Sequence, residues 1–322
     1  MKIRPVLTVI ATLVLASAAT PSAAADGLPV PVDYTFGEGV VSSDGSSRFV
    51  TIDAGSQTVL VETSTESGEI TAHSLIDGQF TVPAIAVDGT ASGVSADGET
   101  LALINPRKTF PRQTTELVVY DVAQRIKDAQ RIELKGDFSF DALSPDGETL
   151  YLVEYTDPRD PGAYQVRQYD LASGALAPDP ILDTEEEPGE MRGFPQTRLT
   201  GPGGTWEYTL YDGGEHPFIH ALNVVEATTL CIDLDMIHAR NTYGAKLELS
   251  ADESSIELVD RKGELRAIVD TETHEASAPG AEPAPTAAPA PEKTPALVPA
   301  GIAAGGLILT ALAALGIRRM RN

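Results

Sequence analysis

The densest group of side chains that could do chemistry lies between residues 212 and 220. Asp212, Glu215, His216 and His220 fall within nine residues. On a helix, His216 and His220 would share one face and could bind a metal ion. However, the Asp-Gly-Gly sequence and Pro217 lie between two strand-like patterns, which indicates a hairpin. We therefore predict that the two histidines are divided between a loop and a strand and have a structural role.

A second candidate is the repeated Ser-x-Asp-Gly-Glu sequence, which has the oxygen-rich character of a calcium loop. It occurs around Asp97 and Asp146, and looser copies occur around Asp44 and Asp252. A calcium ion needs six to eight converging oxygens, whereas Asp-Gly also fits a tight turn in which the carboxylate accepts from neighbouring amides. Because each Asp-Gly pair fits such a turn by itself, we predict a turn rather than a calcium loop.

Two further candidates are Cys231 and the acidic run 185–187. The chain has only one cysteine, so it cannot form an intrachain disulfide, and the apolar pattern around Cys231 predicts a small buried side chain. The run of three glutamates is expected in an exposed loop, with a cation-attracting rim as the alternative.

The sequence contains no Gly-x-Ser-x-Gly, His-Glu-x-x-His, phosphate-loop or dinucleotide motif. It therefore predicts no catalytic, cofactor-binding or metal-binding residue.

The elements that would position these residues are strands. Short β-branched or aromatic runs bounded by Gly, Asp, Ser and Pro extend over residues 28–273, which predicts an all-β fold. The turn residues Asp44, Asp97, Asp146, Gly203 and Asp252 are separated by 53, 49, 57 and 49 residues. An all-strand unit repeated at this interval is typical of a β-propeller blade.

The repeat also has an internal order. After the Asp-Gly turn comes a core strand, and then a strand that ends in an acid, as at Asp121 and Asp170. With these features the chain resembles the bacterial YVTN/TolB/WD40-like β-propeller repeat superfamily, although the Trp-Asp and Gly-His signatures of true WD40 repeats are absent. The resemblance implies a propeller of about five four-stranded blades and a binding role. Six or seven blades stay open, because an extra blade could lie near residues 79–88 or in the long fourth unit.

Ring closure is a separate prediction. The unit after Asp252 shows only three clear strands, and an unpaired edge promotes aggregation. We predict that residues 33–36 supply the missing strand.

Both ends of the chain carry export and anchoring patterns. Residues 1–25 form a secretory signal peptide, with an apolar run followed by small residues at the cleavage site. The propeller domain is expected over residues 26–275, followed by a Pro/Ala-rich linker at 276–296. Residues 297–317 are apolar and long enough for a transmembrane helix, and the basic tail 318–322 indicates the cytoplasmic side. A wall-sorting signal and a helix dimer through Gly301 and Gly305 are weaker alternatives.

The net charge of the chain is −24, and the exported part is more negative still because five basic residues lie at the two ends. This charge excludes nucleic acid and anionic lipid headgroups as partners. The sequence therefore predicts a single-pass cell-membrane protein whose propeller lies on the extracytoplasmic side. Its function is expected to be that of a binding or scaffolding module for an unknown protein or envelope component. The alternative is a metal-dependent, lactonase-like hydrolase that uses the central channel, and a ligand sensor is a third possibility.

Overall fold

The chain folds into five antiparallel β-sheets that follow one another in sequence. The computed structural model describes residues 39–123, 129–183, 191–213 and 216–281. Sheet 1 contains β1 (Val40–Val41), β2 (Ser47–Asp53), β3 (Gln57–Ser64) and β4 (Ile70–Asp77); sheet 2 contains β5 (Thr100–Ile104), β6 (Thr114–Asp121) and β7 (Gln130–Lys135). Sheet 3 contains β8 (Phe138–Leu143), β9 (Thr149–Asp157), β10 (Asp160–Asp170), β11 (Ala175–Leu176) and β12 (Met191–Arg192).

Sheet 4 contains β13 (Pro195–Thr200), β14 (Trp206–Tyr211), β15 (Phe218–Asn223) and β16 (Thr228–Asp233). Sheet 5 contains β17 (Lys246–Leu249), β18 (Ser255–Val259), β19 (Leu265–Asp270) and β20 (Ala276–Ser277). Short 3-10 turns occur at Pro202–Gly204 and Ala239–Asn241. Within the described residues, no helix has the length and apolar character needed to cross a membrane.

The predicted turns fall where the repeat places them. Four of the five turns lie between the first and second strand of their sheet, including the degraded copy at Gly203 between β13 and β14, and the turn at Asp97 directly precedes β5. The prediction of an all-β fold with five repeated sheets is therefore confirmed. Residues 79–88 do not form an additional sheet. Thr81 and Val94 bridge to Ile104 and Leu101 on the edge of β5 opposite β6, and we call this interrupted pairing the inner strand of sheet 2.

Apolar side chains join each sheet to the next. The alternation typical of a half-buried strand is clear in β18, where Ile256 and Leu258 are buried and their neighbours are only half-buried. Four sets of buried residues connect the sheets in chain order: Phe49 and Leu60 with Leu101 and Leu103; Ile104 and Leu117 with Phe138 and Leu150; Tyr151 and Val166 with Leu222 and Val224; and Leu210 and Ile219 with Leu247 and Leu258.

Three strands follow Asp252 as expected, namely β18, β19 and β20, and β17 before Asp252 makes sheet 5 four-stranded. In β20, Ala276 and Ser277 pair with Val269 and Ile268. These two residues extend the sheet slightly into the segment assigned to the linker. The predicted closing strand 33–36, signal peptide, transmembrane helix and basic tail lie outside the described residues. Most of the linker and the glutamates at 185–187 do so as well.

Candidate functional site

The repeated turns share one hydrogen-bond pattern. In the turn at Asp146, Ser144 Oγ donates to Asp146 Oδ1 at 2.5 Å, the Glu148 amide donates to the same oxygen at 3.1 Å, and the Thr149 amide donates to Ser144 Oγ at 2.9 Å. The turns at Asp44, Asp97 and Asp252 repeat these contacts. The prediction of structural Asp-Gly turns is confirmed, because the carboxylates are engaged within the turns.

These hydrogen bonds also affect ionisation. Donation from the Ser42 hydroxyl, with further donation from Ser46, lowers the pKa of Asp44 to about 2. The equivalent serine hydroxyl lowers the pKa of Asp146 and of Asp252. The carboxylates of Asp44, Asp146 and Asp252 therefore stay ionised and act as acceptors for the backbone.

The turns of successive sheets contact one another. Ser43 Oγ donates to the Ala96 carbonyl, and the Asp97 amide donates to the Pro145 carbonyl at 3.1 Å. A Cβ on Gly204 would lie 3.3 Å from the Cβ of Ala96, so the fourth turn also meets the second. We call this side of the molecule the turn end. Since strands alternate in direction, the connections between second and third strands lie at the opposite side, which we call the loop end.

A hairpin fills the space between the inner strands of sheets 2 and 4. The chain pairs with β5 at Thr81, turns at 85–90, and pairs with β5 again at Val94. Ile85 packs in the cluster that contains Phe140 of β8. At the tip, the amides of Val87 and Asp88 donate to the carbonyls of Pro195 and Gln196 in β13. The hairpin therefore lies beside β8 of sheet 3 and reaches β13 of sheet 4.

Beside this hairpin is a cavity of about 30 Å³, which has room for about one water molecule. Its polar lining comes from sheets 3 and 4: Ser139, Asp141, Tyr155, Tyr164 and Tyr211. Among the described residues, the buried hydroxyl of Tyr164 has no hydrogen-bond partner, and burial raises its pKa well above the ordinary value. The cavity is too small for an organic substrate.

A buried ion network fixes the loop between β5 and β6. Asp137 accepts from Arg107 Nη2 at 2.7 Å, from Arg112 Nε at 3.1 Å and from the Arg112 amide at 2.7 Å. Arg107 Nη2 also donates to Ser139 Oγ at 3.0 Å, and its guanidinium lies 4.6 Å from the ring centre of Tyr155. All three charged side chains are buried. Buried charges need such pairing, so the loop is held rigidly against β8.

The fixed loop borders an open groove at the loop end. The groove has a volume of about 340 Å³ and is lined mainly by amide, hydroxyl and charged side chains: Gln79, Asn105, Lys108, Thr109, Gln113 and Glu116. Lys108 Nζ donates to Gln79 Oε1 at 2.5 Å. This surface could accept a polar chain.

A second buried ion pair joins sheets 3 and 4. Arg198 of β13 contacts both the carboxylate and the carbonyl of Asp141 in β8, and its Nε donates to Thr209 Oγ1 at 2.7 Å. Arg198, Thr209, His220 and Cys231 are cross-strand neighbours in one row across sheet 4. The row therefore places four polar side chains side by side across the sheet.

The structure separates the two predicted histidines. His216 is exposed in the β14–β15 loop, whereas His220 is buried in β15, as the hairpin prediction requires. Burial, with the nearby Arg198 charge, lowers the pKa of His220 to about 3. Cys231 is half-buried rather than buried as predicted, since it lies in β16 at the outer edge of sheet 4. In the described ranges, no three potential metal-ligating side chains come together.

The sequence analysis missed the buried ion pairs. Asp141 offered a signal, because it interrupts the apolar run of β8, Phe138–Leu143. Arg107 and Arg112 offered no such signal, because they lie in a polar, proline-containing loop whose composition predicts exposure to solvent. Their burial depends on Asp137, which follows a different strand.

The chain has distant similarity to solved structures. No known protein-family profile matches the chain. No curated protein matches it either. Solved structures similar to the chain include the hydrazine synthase of Kuenenia stuttgartiensis, at 16% identity and a TM-score of 0.43 over 77% of this chain and 66% of that one.

Two others are TolB from Acinetobacter baumannii and the β-propeller domain of Cps50 from Myceliophteria thermophila. TolB is 12% identical with a TM-score of 0.41, and the match covers 73% of this chain and 54% of that one. Cps50 is 8% identical with a TM-score of 0.41, and the match covers 80% and 70%. The chain thus spans just over half the length of TolB. At this distance the similarities carry no argument about function.

Proposed function

We propose that the chain is a membrane-tethered, extracytoplasmic β-propeller that acts as a binding or scaffolding module for a protein or envelope component. The observation that supports the proposal is the position of the hairpin beside sheets 3 and 4. Because the hairpin at 85–90 reaches β13 across the inner edge of sheet 3, binding has to use an outer surface. The signal-peptide and anchor patterns of the sequence support placement outside the membrane.

The loop end is the better candidate for that surface. The turn end consists of short turns whose polar groups bond within the turn or to the next turn. The loop end carries the connection between β16 and β17, with Met236 and Tyr243 exposed, together with the groove at Lys108. Aromatic residues and methionine are enriched at protein interfaces. The loop end therefore offers the contacts that a protein partner requires.

The lactonase-like alternative finds less support in the described residues. Such an enzyme would need ligands that converge at the centre, but Ala84, Ile85 and Val87 of the hairpin line that region. The buried acid nearest to it, Asp141, is paired with Arg198.

Site-specific photo-crosslinking in intact cells tests the proposal. A photoreactive residue at Tyr243, which is 67% exposed, should capture a defined partner. The same residue at Val225, which is 62% exposed at the turn end, is the matched control and should not. Replacement Met236→Ala should reduce capture from position 243. Equal capture from both positions, or none from position 243, would contradict the assignment of the loop end.

A further inference from the structure

The last strand of sheet 1 has an open edge. Among the described residues, β4 pairs with β3 and with no other strand. The Gly78 amide donates to the Ser56 carbonyl at 2.9 Å, and hydrogen-bonded pairs alternate with non-bonded pairs along an antiparallel ladder. Counting back through the register, the backbone amides and carbonyls of His73 and Leu75 point away from β3. Both residues are exposed.

The open part of this edge ends at Asp77. The Asp77 carbonyl is at the next outward-facing position and accepts from Arg131 Nη2 at 2.5 Å, which agrees with the direction assigned to His73 and Leu75. The stretch before it, residues 70–76, contains no Lys, Arg, Asp or Glu. It provides about 23 Å of extended chain at the usual rise of a strand, so it is long enough to pair with a further strand.

The other sheets protect their outer strands. β11 and β20 contain only two residues each. In β7, Arg131, Glu133 and Lys135 place a charge at every second position. The edge of β16 is occupied, because the Cys231 amide donates to the Asp183 carboxylate at 2.6 Å. Short strands, charges and covering segments are the devices that prevent edge pairing. Within the described ranges, residues 70–76 show none of them.

The charge around β4 determines which partner the edge favours. Residues 40–77 contain six Asp or Glu residues, one arginine and no lysine. Glu69 directly precedes β4 and Asp77 ends it, and both are exposed. A second copy paired antiparallel about His73 would place Glu69 of one copy opposite Asp77 of the other, and like charges directly opposite are destabilising. The edge therefore disfavours a second copy and favours a cationic strand.

Another acid lies beside this edge, on the face of sheet 1 that packs against sheet 2. Glu62 of β3 is opposite Ala72 of β4, and a shallow cleft of about 20 Å³ is lined by Glu62, Ala72, Ser74 and Tyr120. Neighbouring strands are about 4.8 Å apart, so a residue docked opposite Ala72 would be about 10 Å from Glu62 across the sheet. A lysine or arginine side chain and the Glu62 side chain together span that distance over the small Ala72.

We propose that residues 70–76 of β4 bind an extended, cationic segment of a partner protein, which adds a strand to sheet 1. The docked strand directs a lysine or arginine side chain over Ala72 toward Glu62. Main-chain hydrogen bonds at His73 and Leu75 supply affinity, and the position of the Glu62 carboxylate supplies selectivity. This edge lies at the side of sheet 1 and is a different surface from the loop end.

Peptide binding to the full-length chain in mild detergent, followed by fluorescence anisotropy, tests the proposal. The labelled probe is a synthetic peptide that alternates lysine with threonine, and its control alternates glutamate with threonine. The lysine peptide should bind and the glutamate peptide should not. Leu75→Pro removes an outward amide at a position where an edge strand tolerates proline, and should weaken binding about tenfold. Leu75→Ala keeps the amide and is the matched control, so it should change binding little.

A second pair of variants separates the Glu62 contact from the overall negative charge. Glu62→Gln should weaken binding of the lysine peptide about 2–5-fold. Glu257→Gln makes the same change of net charge in β18 of sheet 5 and should not weaken it. This pair also decides the matter if Leu75→Pro does not fold.

Three results would overturn the proposal. Equal binding to all four variants would mean that the peptide is attracted only by net charge. A lower sedimenting mass for Leu75→Pro than for Leu75→Ala would mean that a second copy occupies the edge. No saturable binding of the lysine peptide at about 1 mM, the scale of a weak complex, would mean that the edge takes no cationic strand. The measurement does not use the loop end, so it stands apart from capture at Tyr243.

Discussion

Gly147 lies so close to Thr100 that a Cβ at Gly147 would be 2.2 Å from Thr100 Oγ1. Gly147 belongs to the β8–β9 turn and Thr100 begins β5, so this contact joins the turns of sheets 2 and 3. The positive φ of 69° at Gly147 is a second requirement for glycine. The glycine of the Asp-Gly motif therefore has a packing role at Gly147 in addition to its role in the turn.

Gly147→Ala should destabilise the protein more than Gly98→Ala does. Both glycines have positive φ, at 69° and 75°, so each substitution should cost about 1–2 kcal/mol of unfolding free energy. A Cβ at Gly98 meets nothing within 4 Å, whereas at Gly147 it collides with Thr100, which should add about 1–3 kcal/mol. Chemical denaturation of the two variants measures the difference. Equal losses would show that Thr100 moves freely.

Glu253→Gly should stabilise the protein. Glu253 occupies the position that Gly98 and Gly147 hold in their repeats, and its φ is 60°. Relief of a left-handed conformation at a residue with a side chain should contribute about 1 kcal/mol. Glu99→Gly, one position later in the second repeat, is the control and should not stabilise. A lower melting temperature for Glu253→Gly would mean that its side chain has an unrecognised stabilising contact.

The repeat made most of the fold predictable, because each Asp-Gly turn sets its own local geometry. The fourth turn lacks the Asp-Gly motif but was still located, because Gly203 adopts a positive φ like the glycines of the other turns. The hairpin at 85–90 was not predicted. It interrupts the inner strand of sheet 2, and only its contact with Pro195 and Gln196 gives it a position.

The candidate site was less predictable than the fold. The division of His216 from His220 followed from local alternation and Pro217. The pairing of Arg198 with Asp141 joins residues 57 positions apart, and no local pattern specifies such a partner. The exposure of Tyr243 at the loop end depends on how the connections between strands pack. The repeat does not determine that packing.

Asp137→Ala should be among the most destabilising single substitutions in the chain. It removes the shared partner of Arg107 and Arg112 and leaves two guanidinium groups buried, at an expected cost of about 3–5 kcal/mol. Asp157→Ala removes an exposed partner of Arg159 and serves as the control, because solvent screens that pair. Denaturant titration measures both. A small loss for Asp137→Ala would indicate that water reaches the network.

His220 should make the protein less stable in acid. Its pKa is about 3 in the folded state, against 6.5 for an ordinary histidine, so the unfolded state binds one more proton between these values. Above pH 6.5 both states are neutral and the residue has no effect. Between pH 6.5 and 3 the free energy of unfolding should fall by about 1.4 kcal/mol per pH unit, or about 2 kcal/mol by pH 5.

The variant His220→Leu should remove that part of the acid dependence, whatever it does to stability at neutral pH. His216→Leu is the matched control, since His216 is exposed in a loop, and it should retain the full dependence. Unfolding free energies at several pH values between 7 and 4 provide the measurement. Parallel curves for His220→Leu and the unaltered chain would show that His220 is solvated.

Calcium should leave the melting temperature of the chain unchanged. A ligand that binds only the folded state stabilises it by about 2.7 kcal/mol at 100 times its Kd, so a central metal site would be detected easily. The acidic turns offer no free cluster, because Asp44, Asp146 and Asp252 already accept from their own turns. The salt control is sodium chloride at the same ionic strength. A calcium-dependent rise in Tm, reversed by chelator, would favour the hydrolase over the binding module.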